Sequence, residues 1–276
     1  MTAAIDWRTR VGSVWAEEWQ RTDRIFAGLA PHLDAAIRTA APAASFAALD
    51  IGCGAGTTAA ALAAAHPDGR ITGVDVSADL LAVARTRHDA LTNLTFRHAD
   101  ALEAAADLAP LDLLVSRHGV MFFAEPEPAF ARLRAATRPG GALVFSCFAS
   151  IADNPWATLV APAPAPSPHY TPGPFAFADT TRVATLLAAS GWRDAQPQLV
   201  RFAYRVADSD DPVEEAFAFF ARIGPAARAL HDATPSERAG LAVLLRDRLA
   251  AQRNGAVIDF PAAAWIWTAR ATGELP

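Results

Sequence analysis

The stretch Leu49-Asp50-Ile51-Gly52-Cys53-Gly54-Ala55-Gly56 decides the fold of this 276-residue chain. It closes a short apolar run at 46–51 and opens an alanine-rich segment at 57–66 that is typical of a helix. Glycine at 52 and 54 lets the backbone turn sharply and approach a ligand without a Cβ clash, and Gly56 permits close helix packing. The stretch predicts a strand, a tight turn and a helix whose N-terminus favours a ligand carboxylate.

The spacing of these glycines distinguishes between nucleotide-type ligands. The dinucleotide fingerprint is G-x-G-x-x-G, whereas this chain has G-x-G-x-G, with Thr57 in place of the third glycine of that fingerprint. An acidic residue, Asp50, also lies directly before the turn. The pattern therefore weakens a nicotinamide dinucleotide site and favours adenosylmethionine, while an ordinary strand–helix turn with three glycines stays an alternative.

Strand and helix patterns alternate on both sides of this turn. Strands are predicted at 46–51, 70–76, 94–97, 111–116 and 142–148, and helices at 57–66, 77–90 and 128–137, with a turn at 138–141. Such alternation predicts parallel βαβ units with right-handed crossovers. Ligands on these sheets bind beyond the carboxyl ends of the strands, so functional residues should follow strands one to four.

The pattern changes on either side of this core. Residues 5–38 predict two helices, and the proline-rich stretch 150–178 predicts a long loop over the sheet edge that acts as a lid. A helix at 180–190, a strand at 199–206, two or three helices at 212–252 and a strand at 263–271 follow. The last two strands are expected to pair as an antiparallel hairpin around the helical insertion.

These elements together predict an α/β fold with a seven-stranded, mostly parallel, doubly wound sheet whose last strand is antiparallel. N-terminal helices and a helical insertion should cap it. We expect a single domain over 1–276, divided as follows: an N-terminal helical cap at 1–40, a cofactor-binding core at 46–148, a lid loop at 150–180 and the insertion at 208–255.

Composition limits the class of protein and its partners. Hydrophobic residues make up 52% of the chain and charged residues 19%, which is enough apolar material for a large core. The net charge of −5 and the absence of any lysine or basic stripe argue against a nucleic-acid partner. The chain has only two cysteines, no secretion signal and no apolar run long enough to span a membrane, which predicts a cytoplasmic protein.

Two aspartates follow the next two predicted strands. Asp75 ends the second strand, where a carboxylate can accept both hydroxyls of a ribose, although it could also be a solvated cap of the next helix. Asp100 follows the third strand and can accept from an adenine amino group, although a plain N-cap is an equal alternative. The order of glycine turn, Asp75 and Asp100 after successive strands supports the ligand-binding interpretation.

At this point the chain resembles the class I, Rossmann-like methyltransferases that use S-adenosylmethionine. LDIGCGAGT at 49–57 matches their E/D-x-G-x-G-x-G motif, GVDVS at 73–77 the acidic second-strand motif, and HADAL at 98–102 the third. SRHGVMFF at 116–123 and RPGG at 138–141 match the fourth-strand motif and the turn before strand five. FSCFASIADNPW at 145–156 resembles a bacterial subgroup that acts on small molecules. The likeness extends roughly over residues 10–205.

The resemblance implies roles for individual residues. Asp50 would orient the turn and the cofactor's amino group, and Asp75 would bind the ribose. The remaining implied cofactor contacts are Gly52, Cys53 and Gly54 at the methionine portion, Val76, Asp100 and Ala101 at the adenine, and Ser116 at the sulfonium side. The implied reaction is in-line displacement of a methyl group, in which the protein mainly supplies positioning and desolvation.

His118 is the candidate general base, if the acceptor must lose a proton. It lies just past strand four, and its ordinary pKa suits proton transfer, but a histidine that fills a pocket wall is the favoured alternative. Asp153-Asn154 follow strand five, where some catechol-type methyltransferases hold a metal ion. Ser116 and Arg117 stand where those enzymes have a further aspartate, so we expect no metal.

An apolar acceptor pocket is predicted from aromatic and sulfur-containing side chains. The candidate wall residues are Met121, Phe122, Trp156 and Phe175, with Trp15 and Trp19 closing the pocket from the N-terminal helix. Such a wall suits a flat or apolar acceptor. For Trp15 and Trp19, burial in the core is the stronger alternative, because aromatic residues at helical spacing are usually core.

Three functions compete at this stage. A methyltransferase acting on a small molecule fits best; an NAD(P)-dependent oxidoreductase should carry G-x-G-x-x-G and a catalytic Tyr-x-x-x-Lys, which this lysine-free chain cannot supply. A non-catalytic cofactor-binding scaffold stays open. SRHG also departs from the [DNS]-P-P-[YF] motif of amino-methylating DNA enzymes. The expected partner is a small methyl acceptor, without nucleic acid or membrane, and 212–252 is a candidate surface for a homodimer.

Overall fold

The computed structural model describes residues 7–163 and 170–273. Eight strands and eleven α-helices occur in these ranges. The strands are β1 (Ala47–Ile51), β2 (Arg70–Asp75), β3 (Leu94–His98), β4 (Leu111–Arg117), β5 (Thr137–Phe148), β6 (Trp192–Asp208), β7 (Arg253–Asn254) and β8 (Val257–Ala271). The helices are α1 (Arg10–Glu17), α2 (Trp19–Phe26), α3 (Ala30–Ala40), α4 (Thr57–Ala65), α5 (Ala78–Arg87), α6 (Ala101–Leu108), α7 (Pro126–Ala135), α8 (Thr180–Ala189), α9 (Pro212–Phe220), α10 (Gly224–Asp232) and α11 (Pro235–Ala250).

All strands belong to one sheet with the order β3-β2-β1-β4-β5-β8-β6, and β7 pairs with the end of β8. Strands β1 to β5 are parallel to one another, whereas β8 is antiparallel to both β5 and β6. The predicted α/β class, the mostly parallel sheet and the antiparallel last strand are confirmed. The two-residue strand β7 is additional, because its Arg253–Asn254 pairing is too short to leave a pattern in the sequence.

Three local predictions differ from the structure. Residues 5–38 were expected to form two helices, but the described part forms three, because α1 and α2 meet at Glu18, whose backbone is not helical. The predicted turn at 138–141 is part of β5, where a register shift opposite Leu111 and Leu113 absorbs the extra residues as a bulge. Strands β6 and β8 also begin well before the predicted residues 199 and 263.

The core lies on both faces of the parallel strands. Strands β1, β2 and β4 have almost no exposed residues, as expected of strands that helices cover on both sides. Helix α4 contains six alanines, and its buried alanines, such as Ala59 and Ala63, let the helix approach the sheet closely. The result is a rigid platform that fixes the turn between β1 and α4.

The stretch expected to be a lid is only partly described. After β5 the chain makes two short 3₁₀ turns, Ile151–Asp153 and Pro155–Thr158, and residues 170–178 pack back against the core, with Phe177 fully buried. Most of the proline-rich run, residues 164–168, lies outside the described residues. A lid function at 150–180 stays a prediction.

None of the helices described in the structure is both long enough and apolar enough to cross a membrane.

Candidate functional site

A cavity of about 560 Å³ opens beyond the carboxyl ends of β1, β2, β3 and β4. Its volume lies within the range of small-molecule sites. Eight of the nine residues predicted to bind a cofactor line it: Asp50, Gly52, Cys53, Gly54, Asp75, Val76, Asp100 and Ala101. The position after successive strand ends, expected from the alternating pattern, is therefore where the structure brings these residues together.

The glycine turn depends on left-handed backbone at three positions. Gly52, Gly54 and Gly56 have φ values of 65°, 54° and 84°, a region that side chains with a Cβ rarely adopt. A Cβ at Gly54 would meet no described residue within 4 Å, whereas one at Gly56 would collide with the Phe96 ring at 2.7 Å. Gly52 and Gly54 line the cavity, whereas Gly56 leaves room for the Phe96 ring of β3 and the nearby His88 ring.

Asp75 braces the glycine turn from the neighbouring strand. Its carboxylate accepts hydrogen bonds from the backbone N–H of Gly54 and of Ser77, both at 2.9 Å. Burial raises the pKa of Asp75, and the two N–H donors oppose that effect. The carboxylate is 9% exposed, lines the cavity and keeps unused lone pairs, so it can accept further hydrogen bonds from a ligand.

Asp50 is a buried carboxyl group at the base of the turn. It is 1% exposed, and neither of its oxygens has a hydrogen-bond partner among the described residues. Burial raises the pKa of Asp50 to about 7, although the charge of Arg117 acts in the opposite direction. Unpartnered buried carboxylates are costly, so the group fits a site that gains a cationic partner when a ligand binds.

The remaining predicted cofactor residues divide into two groups. Val76, Asp100 and Ala101 line the cavity after β2 and β3, and the Asp100 carboxylate caps helix α6 by accepting from the Leu102 N–H at 2.8 Å. Ser116 is different, because it lies behind the turn and does not line the cavity. Its hydroxyl donates to the Ile51 carbonyl at 2.7 Å and accepts from the Gly119 N–H at 3.2 Å, so it holds the turn against β4.

His118 lies in the cavity wall with left-handed backbone, at a φ of 61°. Its Nδ1 is 2.9 Å from the Ser146 hydroxyl, and its Nε2 is shielded from solvent and has no hydrogen-bond partner within residues 7–163 and 170–273. Burial, together with the nearby Arg117 charge, lowers the pKa of His118 to about 3. A ring that is neutral and shielded at physiological pH favours the pocket-wall alternative over a general base.

Five of the six predicted acceptor residues line the same cavity: Trp15, Trp19, Met121, Phe122 and Trp156. Phe175 lies one layer behind them, where its ring centroid is 5.9 Å from that of Trp156. The two tryptophans of the N-terminal helices are half-buried and contact the cavity, so the structure favours the pocket interpretation over a core one for this pair. Trp7, which the sequence did not single out, packs against both Trp15 and Phe122.

The structure adds a charged cluster that sequence reasoning missed. Asp23 on α2 accepts from Thr57 at 2.8 Å, from Arg87 at 2.7 Å and from Arg117 at 3.1 Å. Burial acts to raise the pKa of Asp23, but Arg117 and the hydrogen bonds hold it below its ordinary value. We call these four residues the Asp23 cluster. They are far apart in the chain, so no local pattern could have joined them.

A second missed group is aromatic. Besides the predicted residues, the cavity is lined by Phe26, Phe148, Tyr204, Phe219 and Phe220. Helix α2, the end of β5, strand β6 and helix α9 supply them. Each lies in an ordinary apolar pattern that gives no sign of a pocket, and only the topology shows that β6 and α9 reach the cavity.

The Asp153-Asn154 pair has structural partners. Asp153 forms an ion pair with Arg201 at 2.9 Å, while the Asn154 side chain bridges Ser150, Trp156 and Ala263. Among residues 7–163 and 170–273, no group of three or more His, Cys, Asp or Glu side chains is arranged to hold a metal ion. Both cysteines are buried and free, and burial raises the pKa of Cys53.

Comparison with known proteins agrees with this geometry. Residues 48–141 match the family model described as a methyltransferase domain. The trans-aconitate 2-methyltransferase of Azoarcus sp. (strain BH72) is 32% identical over 148 residues, which are 53% of this chain and 53% of that protein. The chain thus spans about half the length of this curated relative.

Solved structures show the same fold at low sequence identity. Phosphoethanolamine N-methyltransferase 2 of Haemonchus contortus, bound to phosphomonomethylethanolamine and S-adenosylhomocysteine, gives a TM-score of 0.52 at 17% identity and covers 99% of this chain and 60% of that one. The [4+2]-cyclase SpnF gives 0.56 at 17% identity and covers 96% of both chains. At such identities the likeness supports the fold alone.

The glycine turn, the acidic strand ends and the sheet order define a Rossmann-like nucleoside-binding fold. Together with the family match over residues 48–141, they support a class I methyltransferase domain, the class that uses S-adenosylmethionine as its cofactor.

Proposed function

We propose that this protein transfers the methyl group of S-adenosylmethionine to a small-molecule acceptor. The observation that carries the proposal is the single cavity that joins the glycine turn, with Asp50 and Asp75, to an aromatic wall containing Phe148 and Trp156. One end has the donors and acceptors that a zwitterionic nucleoside needs. The other end offers apolar surface of the size that a small acceptor fills.

Different residues of this chain would bind the different parts of the cofactor. The exposed backbone of Gly52 and Gly54 and the unpartnered Asp50 suit the amino-acid portion, since the ammonium would give Asp50 the cation that it lacks. Asp75 suits the ribose hydroxyls, with Val76, Asp100 and Ala101 beside the adenine. Ser116 would act indirectly, by fixing the backbone of the turn.

The cofactor supplies a methyl group on a positively charged sulfur, and that sulfur leaves as a neutral thioether when the acceptor's lone pair takes the methyl carbon. No acid or base is needed for the leaving group, so the protein contributes mainly alignment and a dry site. An acceptor that carries a proton releases it once the new bond forms. The buried aromatic wall supplies the exclusion of water.

The relatives support a small acceptor without naming one for this chain. The curated relative acts on trans-aconitate, and the Haemonchus structure holds phosphomonomethylethanolamine. The SpnF cyclase has the same fold and a different named reaction. A methyltransferase fold used for another reaction, or as a non-catalytic scaffold, is therefore the alternative that an experiment must separate. A bacterial source, a cytoplasmic location and a homodimer are further proposals from the sequence alone.

Calorimetry with S-adenosylhomocysteine tests the cofactor end of the cavity. We expect binding of this nucleoside and no comparable binding of NAD. Asp75→Ala should weaken binding by about 1 to 3 kcal/mol, because charge-assisted hydrogen bonds are lost. Asp89→Ala is the matched control, since Asp89 is exposed and makes no hydrogen bond or ion pair with the described residues.

Thermal melting of each variant separates lost binding from lost folding, and Asp75→Asn keeps the shape of the side chain if the alanine variant is unstable. Unchanged affinity in both Asp75 variants would remove this residue from the site. Wild-type protein that ignores S-adenosylhomocysteine at millimolar concentration would refute the proposed function. Binding without transfer to any acceptor would favour the scaffold or cyclase alternative.

A further inference from the structure

Arg117 is a half-buried arginine whose guanidinium keeps unused hydrogen-bond donors. It ends β4 and lines the cavity, and its side chain is 13% exposed. A guanidinium carries several N–H donors, yet among the described residues this side chain makes a single hydrogen bond, from Nη2 to the Asp23 carboxylate at 3.1 Å. Its Nε and Nη1 have no such partner and are not fully shielded from solvent. Arg117 can therefore donate further hydrogen bonds to a molecule in the cavity.

The charges next to Arg117 do not balance. The Asp23 carboxylate pairs with Arg87 at 2.7 Å and with Arg117 at 3.1 Å, so one negative charge serves two guanidinium groups. Arg87 also donates to the Ala55 carbonyl and lies over the Trp19 ring, and neither contact adds a negative charge. The three side chains thus keep one net positive charge, although each is at most 20% exposed.

Two further carboxyl groups lie near Arg117, and in the described structure neither forms an ion pair with it. Burial raises the pKa of Asp50 to about 7, so this group is partly uncharged at neutral pH, and the cofactor's ammonium would be its partner. Burial also raises the pKa of Asp34, which does not line the cavity and which Arg38 affects more than Arg117 does. His118 adds no charge, since burial lowers its pKa to about 3. The surplus positive charge therefore stays available to a ligand.

Arg117 lies between the two ends of the cavity. Its guanidinium is 5.4 Å from the centroid of the Phe26 ring, which lines the aromatic end and is 4.7 Å from the His118 ring. Two residues further along the chain, Gly119 packs against the glycine turn, where a Cβ at Gly52 would lie 3.3 Å from the Gly119 Cα. A carboxylate at Arg117 can thus belong to a molecule bound at either end. The apolar ring beside the guanidinium strengthens such a charge pair because it excludes water.

The other arginines that line the cavity are placed differently. Arg8 and Arg132 are both exposed to solvent, where water competes for the guanidinium and an ion pair contributes little. Arg117 is shielded, and Asp23 already holds its guanidinium in position. Of the arginines that line the cavity in the described parts of the chain, Arg117 is therefore the one suited to bind an anion strongly.

We propose that Arg117 is the carboxylate-binding residue of this cavity. Its planar guanidinium can meet a carboxylate with two parallel hydrogen bonds, a contact that neither lysine nor glutamine reproduces. The inference rests on the proposed function, because the two reactants are the two sources of a carboxylate. S-adenosylmethionine carries one on its methionine portion, and an acidic acceptor would carry one into the aromatic end. Separate measurements distinguish these sources.

The first measurement tests the cofactor as the source. Calorimetry compares S-adenosylhomocysteine with its decarboxylated analogue, which keeps the nucleoside, the sulfur and the ammonium. If the methionine carboxylate binds Arg117, Arg117→Gln weakens S-adenosylhomocysteine about 10- to 100-fold, the effect of a hydrogen bond between charged groups. The affinity for the decarboxylated analogue should change little. Arg117→Lys should lose less, because lysine keeps the charge without the planar fork.

The second measurement tests the acceptor as the source. It compares 2-naphthoate with 2-naphthamide, added at neutral pH to protein saturated with S-adenosylhomocysteine. The two probes have the same shape and differ in charge, and their rings suit the aromatic lining. If the acceptor's acid group binds Arg117, Arg117→Gln weakens 2-naphthoate about 10- to 100-fold and changes 2-naphthamide little.

Arg97→Gln is the matched control for loss of an arginine charge. Arg97 does not line the cavity and pairs with Asp107 at the surface, so this variant should leave every measured affinity unchanged. Thermal melting shows whether each variant is folded. If Arg117→Gln is unstable, Arg117→Lys replaces it, since lysine keeps a positive charge beside Asp23, and a smaller loss confined to the carboxylate-bearing ligand is then expected.

The outcomes separate the inference from the proposed function. A loss confined to the carboxylate-bearing member of either pair supports the inference, and the pair that shows it identifies the source. Losses of equal size within each pair, or no loss in either pair, would overturn it, and so would an unchanged cofactor pair when neither naphthyl probe binds. Failure of the wild-type protein to bind S-adenosylhomocysteine would instead overturn the proposed function.

Discussion

Asp50 illustrates how a single residue can couple ligand binding to protons. Its carboxyl is buried without a hydrogen-bond partner among the described residues, and burial raises its pKa to about 7 from an ordinary value of 3.8. A raised folded pKa means that the protonated form stabilises the fold. That stability is fully present below pH 3.8 and is lost as the pH rises through about 7. The ligand-free protein at neutral pH therefore holds this group partly protonated.

We expect binding of S-adenosylhomocysteine at pH 7 to release a fraction of a proton, because the ligand's ammonium favours the ionised carboxylate of Asp50. Calorimetry in buffers of different ionisation enthalpy measures this release as the slope of binding enthalpy against buffer enthalpy. In Asp50→Asn the slope should disappear, since the amide does not titrate. A wild-type slope of zero, or the same slope in the variant, would contradict the expectation.

The pKa of His118 is shifted in the opposite direction to that of Asp50, so its effect on stability changes with pH in the opposite sense. Burial lowers its pKa to about 3 from an ordinary 6.5, so the ring contributes stability that is present above pH 6.5 and lost as the pH falls toward 3. We expect wild-type protein to lose about 2 kcal/mol of unfolding free energy from this group between pH 7.5 and pH 5. His118→Asn, which tolerates the left-handed backbone, should lack that loss in urea unfolding series. Parallel pH profiles for the two proteins would argue against a neutral buried ring.

For individual residues, the sequence predicted which side chains lie at the cavity better than it predicted what each side chain does there. Residues beside the glycine turn could be assigned because each follows a strand end, which is a local and periodic signal. The roles of Ser116 and His118 could not, because they depend on partners across the sheet, Ile51 in one case and Ser146 in the other. Tyr204 carried no signal at all, since it lies in an alternating strand where any large apolar residue would fit.

Among the secondary-structure elements, helix α2 matters most for the site. Asp23 fastens it to Thr57 on α4, Arg87 on α5 and the end of β4, while Arg87 also lies over the Trp19 ring at 3.8 Å. Helix α1 adds a contact between Ser13 and Asp79 on α5. The two helices thereby cover the cavity, so we expect cofactor exchange to require that they loosen.

We expect Asp23→Asn to loosen residues 10–26, because it removes the negative charge of the carboxylate and leaves the guanidinium groups of Arg87 and Arg117 without an ion-pair partner. Hydrogen exchange should become at least about 10-fold faster in α1 and α2 and change little in the strands, with a loss of roughly 1 to 3 kcal/mol in unfolding free energy. Mass spectrometry of peptic fragments would measure the exchange.

Asp107→Asn is the control for this change, because Asp107 also pairs with an arginine, Arg97 at 2.9 Å, but both side chains are well exposed. Exposed pairs contribute little, so this variant should behave like wild type. Equal exchange rates in α1 and α2 for all three proteins would show that the Asp23 cluster does not hold the cap closed.

The elements themselves were largely predictable, and their ends were not. Helices α4 and α5 lie close to the predicted ranges 57–66 and 77–90, and the Ser77 hydroxyl caps α5 by accepting from the Leu80 N–H. Strands β6 and β8 extend far beyond the predicted ends because each gains its hydrogen bonds from the other along almost its whole length. Because this pairing depends on two distant segments, the length of either strand cannot be predicted from the local sequence of that strand alone.

For the whole molecule, the alternating pattern predicted parallel βαβ units but not the order of the strands. The structure places β2 and β3 on one side of β1, and β4 and β5 on the other. The position of β8 between β5 and β6 was not specified beforehand; the sequence indicated only that the last two strands pair. What the order could not reveal was that β6 and the insertion after it would return to line the cavity.

The central position of β8 has a consequence for biosynthesis. Residues 257–271 are made after every other strand, yet β5 and β6 have no contact as sheet neighbours until this segment arrives between them. When the ribosome has produced only the first 250 residues, the edges of β5 and β6 that later pair with β8 therefore have no hydrogen-bonded neighbour. Chaperones that shield such edges should engage this polypeptide late in translation, and release from them should coincide with insertion of the final strand.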